Sequence, residues 1–219
     1  MAEQHGRVEQ NVEPEFNDPA PERIDASAQH IIAGRPFQSI DPRCTELWFA
    51  DERRDLPEPK LQVLLDYWLN KRQQLGHLPD RKDLDILELR EAIGNIMMLD
   101  VLDDGFDARY RVYGTGIAEF ARNDWTGQTV SDLARKTGTS SALLYRACYL
   151  AVYRTGRPIY SEHISPAWLS PRAWRRLILP YGTGAGVCAG FMVGNVPVEP
   201  QILGEDANLA AQALIYRNR

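Results

Sequence analysis

Arg109 to Leu133 reads RYRVYGTGIAEFARNDWTGQTVSDL: a strand, the triplet Gly114-Thr115-Gly116, a short amphipathic helical turn, then Asp124-Trp125-Thr126-Gly127. A glycine pair between a strand and a helix is a common phosphate seat, because the helix N-terminus offers free N–H groups to an anion. A dinucleotide fold would need a third glycine where this chain has Glu119, and a parallel sheet around it. The acid would repel a pyrophosphate. The strand before Gly114 also belongs to a hairpin: Ile96 to Leu102 and Ala108 to Tyr113 are runs of strand formers flanking Asp103-Asp104-Gly105, which predicts an antiparallel pair. The later GTGAG run, 182–186, lacks the Lys-Ser/Thr of a nucleotide loop. The glycines therefore read as structural. Gly114 and Gly116 let the chain leave a strand and begin a tight helix, and Gly127 ends the next turn.

Upstream, Leu61, Leu64, Leu65, Trp68 and Leu75 fall at helical spacing, opposite Asp66, Asn70, Lys71 and Gln73, with Gly76 and Pro79 as the stop. Asp85 and Glu88 have the spacing of a capping box ahead of a second, short helix carrying Leu87, Leu89 and Ile93. Downstream, Thr139 or Ser140 caps a long helix, Ser141 to Arg154, whose apolar residues leave little polar face, so it should lie buried. Gly156 and Pro158 precede three more strands: Ile159 to Ile164, Ala173 to Leu179 and Val187 to Val193. Strands and helices do not alternate, which predicts an α+β fold: a five-stranded antiparallel sheet with crossover helices on one face and the amphipathic helix from Leu61 covering the other, in its own subunit or a partner's.

Of 219 residues, 44% are apolar, enough for a substantial core. Residues 1–60 hold 7 Lys+Arg against 13 Asp+Glu, while the remainder holds 18 against 17. The acidity thus belongs to the leading segment. Residues 1–58 are rich in Pro, Glu, Asp and Gln, with apolar spots only at Ile31-Ile32 and Leu47-Trp48-Phe49, and read as an acidic, largely disordered leader ending in a docking segment. Residues 59–197 form the domain, and 198–219 a tail whose Ala-rich stretch Asp206 to Tyr216 has helical composition. The near-neutral body has no basic stripe, which argues against nucleic acid; Arg172, Arg175 and Arg176 read as a solvated strand face. There is neither a run of 18 apolar residues nor a signal peptide, so a cytoplasmic protein with no membrane contact is expected. Cys44, Cys148 and Cys188, far apart and odd in number, fit a reducing compartment.

With this element order established, the sequence resembles a PAS domain, and more narrowly the stand-alone PAS proteins of alphaproteobacteria. The likeness is carried by Tyr67-Trp68, Arg72, Gly76, Pro79, Arg81, Asp83 and Asp85. It continues through Arg109-Tyr110-Arg111, Gly114-Thr115, Asp124, Thr126 and Gly127 to Leu177, Leu179 and Pro180, spanning Leu61 to Val196. The reactive cysteine of flavin photosensors has no counterpart in Ala121-Arg122-Asn123-Asp124, and the long helix lacks the histidine of haem sensors. Cys148 or Tyr149 could ligate an iron, but Cys148 on so apolar a helix reads first as core.

The resemblance implies a sensory or protein-interaction module that binds a small ligand or a partner, of unknown cofactor, between the inner sheet face and the crossover helices. Tyr110, Val112, Phe120, Trp125, Leu144, Cys148, Ile178 and Phe191 are the candidates to line such a cavity, with plain core packing as the competing role for each. A one-residue slip would invert any strand. Ser161, Glu162 and His163 alternate faces and cannot form a catalytic group on one side, so His163 reads as an exposed strand histidine. His77 has no second ligand near it in sequence. No enzyme is expected, and no metal site. Because no kinase, cyclase or DNA-binding segment is recognisable, output is expected to pass to another signalling protein, with homodimerisation through Leu61–Leu75. A ligand-free structural adaptor is the alternative.

Overall fold

The computed structural model describes residues 18–52, 55–139, 141–166, 169–183 and 186–200. The helix predicted from Leu61 is α2, Pro59–Leu75. Its Pro59 has no N–H to orphan at a helix start, and Gly76, at φ 73°, closes it with an N–H to the Arg72 carbonyl at 2.9 Å. The predicted hairpin is β2, Ile96–Leu102, and β3, Asp107–Tyr113. Two short helices, α3 (Thr115–Ala121) and α4 (Val130–Thr137), lead to the long helix α5, Ala142–Thr155. Three strands follow: β4 (Ile159–Ile164), β5 (Pro171–Gly182) and β6 (Cys188–Pro200). The short helix expected after Asp85 is instead a 3₁₀ turn, Ile86–Leu89, with the Asp85 carboxylate accepting the Leu87 N–H. Leu87 is 72% exposed there, so no apolar stripe exists to hold a longer helix down.

The leader differs most from its composition. Residues 21–32 form a helix, α1 (Pro21–Ile32), and Cys44–Phe49 form a strand, β1. The sheet is therefore six-stranded rather than five-stranded. Its order is β1-β4-β5-β6-β2-β3, and every neighbouring pair is antiparallel. Ile24, Ala28 and Ile31 give α1 one buried side, which lies along α5. Asp18 and Asp25 reach Arg146 and Arg154 of α5 at 2.7 and 2.5 Å. Residues 1–17, the rest of the predicted leader, and 201–219, with the helical stretch expected from Asp206, lie outside the described residues.

The layers are thus α1 over α5, α5 with α3 and α4 over the sheet, and α2 behind it. Leu61, Leu64, Leu65 and Trp68 are all buried against their own sheet. A Cβ on Gly194 of β6 would sit 2.4 Å from Leu61, and the Trp68 indole donates to the Pro180 carbonyl at 2.7 Å. The apolar side of α2 is consumed within the chain. Self-association through Leu61–Leu75 is left only the solvent side of this helix.

Candidate functional site: a cavity built around a buried arginine

Side chains alternate along a strand, so one residue of known facing orients the rest. On β5, Leu177 and Leu179 share the parity opposite to Trp174, Arg176 and Ile178. On β6, Gly194 faces α2 while Phe191 stacks on Tyr149 of α5 at 4.9 Å between ring centroids, which puts Phe191, Val193 and Asn195 on the helix side. On β4 the same side carries His163. Between this face and the crossover helices lies a cavity of about 80 Å³ that takes in Trp174, Arg176, His163 and Asn195 from the sheet and Trp125, Leu133 and Tyr145 from the helical side. A single water needs ~10–15 Å³ on this measure.

Its polar groups are unusual for a core. Arg176 is only 6% exposed, although charged side chains are rarely so buried without a partner. Its Nε donates to Asn195 Oδ1 at 3.3 Å and its guanidinium carbon lies 4.0 Å from the Tyr145 ring centroid. Its Nη1 is buried with no hydrogen-bond partner among the described residues, and no carboxylate lines the cavity there. Burial opposes its charge, the phenols of Tyr149, Tyr145, Tyr110 and Tyr113 around it favour the charged form, and its pKa stays above the ordinary arginine value. These neutral rings are not a counter-ion. His163 is equally deep. Its Nε2 hydrogen bonds the Tyr145 hydroxyl, and its Nδ1 has no partner among the described residues. Burial, then the charges of Arg176 and Arg43, hold its pKa well below the usual value, so it is a neutral imidazole. Burial also pushes the Tyr145 hydroxyl up to about 12, against the pull of Arg176 and Arg43. Arg43 is itself paired with Asp41 at 3.2 Å and donates to Ser141 at 2.7 Å.

Of the eight predicted lining residues, Trp125 borders this cavity. Tyr110, Leu144, Cys148, Ile178 and Phe191 are buried in the core and do not line it, and Phe120 is half-buried beside Ala121 of the lining. Val112 is a correction: it is 46% exposed. The β2–β3 register runs Met98 to Val112 but Leu99 to Tyr110, so Arg111 is an extra residue, a bulge. The strand turns over at that point, and Tyr113 takes the inward place, edge-on to Tyr110 at 5.4 Å. Two further readings are overturned. His163 is a buried histidine, not an exposed one, and Arg176 lies on the inner face, not a solvated one. Arg175, its neighbour, does face outward and pairs with Glu162 at 2.9 Å.

The glycine pair keeps its structural role for a different reason. Gly114 has an ordinary φ of −58°, but a Cβ there would lie 2.4 Å from the Gly94 carbonyl oxygen: the backbones touch. Gly127, at φ +86°, donates its N–H to the Tyr110 carbonyl. Cys44, Cys148 and Cys188 are buried free thiols, and burial pushes Cys44 and Cys188 up to about 12. His77 hydrogen bonds the Leu78 carbonyl. No cluster of metal-ligating side chains occurs, and no helix is long and apolar enough to cross a membrane, among the described residues.

Residues 56–153, from just before α2 to near the end of α5, match the family model described as PAS domain. The α+β architecture, helices over one face of an antiparallel sheet, is that of a PAS fold. No curated protein and no solved structure matches the chain significantly.

Proposed function

We propose that this chain is a cytoplasmic sensory module that holds a small molecule between the sheet and the crossover helices and passes the signal to another protein. One observation carries this: within a PAS fold, a cavity bordered by a buried arginine that has no carboxylate partner among the described residues. A group that meets Arg176 also reaches the far side of the sheet. Asn195 accepts from Arg176 through its side chain, its carbonyl accepts from Asn95 Nδ2 at 3.2 Å, and Asn95 Oδ1 accepts from Lys60 of α2 at 2.8 Å. Binding that favours one arrangement of this chain shifts how α2 docks, and pressure on α5 does the same for α1. No catalytic role is proposed.

A second reading, a ligand-free adaptor that acts as a stand-alone dimerisation domain, is favoured by the dense packing of Tyr149 on Phe191 and of the other predicted lining residues. Native and denaturing mass spectrometry of freshly purified protein, with an absorbance scan, separates the two. Mass lost on denaturation supports the sensor. An apo mass in both, with no small molecule raising the melting temperature in a metabolite screen, supports the adaptor.

A further inference from the structure

The cavity's walls and charge define what it would hold. Trp125, Leu133 and Trp174 make most of the surface apolar, and Arg176 is the one cation bordering it among the described residues. Arg43 lies close by, but Asp41 neutralises it. A buried positive charge without a counter-ion is costly, and an anion brought in by a ligand relieves that cost. The guanidinium fork suits a planar two-oxygen acceptor, and Nη1 has a free donor for it. One uncompensated charge matches one negative charge. A dianionic phosphate would be left half-neutralised among tryptophans.

Resting on the sensory reading, we propose that the ligand is a small monocarboxylate with an apolar body, its carboxylate on Arg176 and its body between Trp125 and Trp174. His163 and Tyr145 complete the polar end. His163 Nδ1 has no partner among the described residues, and when Tyr145 donates to Nε2 the ring hydrogen sits on Nδ1, which becomes a further donor. At about 80 Å³ the cavity admits roughly half a dozen heavy atoms, the size of a short-chain or compact ring acid.

The test is titration of the full chain with butyrate and cyclopropanecarboxylate, each against its neutral amide of the same shape, and with inorganic phosphate, read by tryptophan fluorescence and melting temperature. Saturable responses to the acids, at least about tenfold weaker for the amides, are expected. Arg176→Met, which keeps the apolar stem of the side chain and removes the buried charge, should abolish the response to the acids while the free protein still melts cooperatively. If that variant fails to fold, the acid and amide pairs on the wild type still decide. Equal responses to acid and amide, a stronger response to phosphate, or no response to any acid each overturn the carboxylate assignment. In those cases a bound mass in the native spectrum leaves the sensory reading standing, and an apo mass with an empty metabolite screen removes both.

Discussion

His163 sits with Arg176 from β5, Tyr145 from α5 and the Arg43 charge around it, and none of these is an acid that would hold a proton on the ring. Its folded pKa lies below the unfolded value of about 6.5. As pH falls through that value, the unfolded chain takes up a proton that the folded one refuses, so stability is present above it and is lost below. The slope is ~1.4 kcal/mol per pH unit for one such group. The urea midpoint should therefore drop between pH 7 and pH 5, and His163→Gln should flatten that part of the profile. The thiols behave oppositely at alkaline pH: with Cys44 and Cys188 pushed up to about 12, the native protein should resist alkylation at pH 8.5 and label on all three cysteines in denaturant. The polar end of the site was the least legible part of the sequence. Arginine and histidine on a strand are usually exposed, and alternation tells which residues share a side without telling which side is inner.

Helices and strands were more legible where a periodic run ended in a glycine or proline, as α2 and α5 do, than where a local irregularity intervened, as in β3. Gly114 was read for its flexibility, yet backbone crowding against Gly94 is what requires it, a contact between segments 20 residues apart that no local pattern encodes. Gly114→Ala should cost about 1–3 kcal/mol by overpacking, and Gly116→Ala, whose Cβ would lie 3.0 Å from the same carbonyl oxygen, less. Thermal melts of the two variants give the comparison. Leu65→Glu, on the buried side of α2, should abolish the cooperative melt rather than split a dimer, because it places a carboxylate in the core. A native-like melt with halved mass in light scattering would show instead that this side of α2 is intermolecular.

Across the whole molecule, the fold class, the hairpin and the long helix followed from sequence, whereas α1 and β1 did not. Ile24, Ala28 and Ile31 recur at helical spacing, but they are few among acids and prolines, and only α5 beneath them makes that stripe worth burying. Ile24→Ala should destabilise by ~2–5 kcal/mol and raise hydrogen exchange along α5; no change in α5 would mean that α1 contributes nothing to the core. The bulge in β3 bears on how relatives of this chain are compared. Because Arg111 is the extra residue, a homologue can lack it and still present its counterparts of Tyr110 and Tyr113 inward and of Val112 outward. Alignments should be anchored at Gly114 and counted backward, with the gap placed at 111. Counted forward from the hairpin turn, they would assign a surface valine to the interior and lose a tyrosine that borders the cavity.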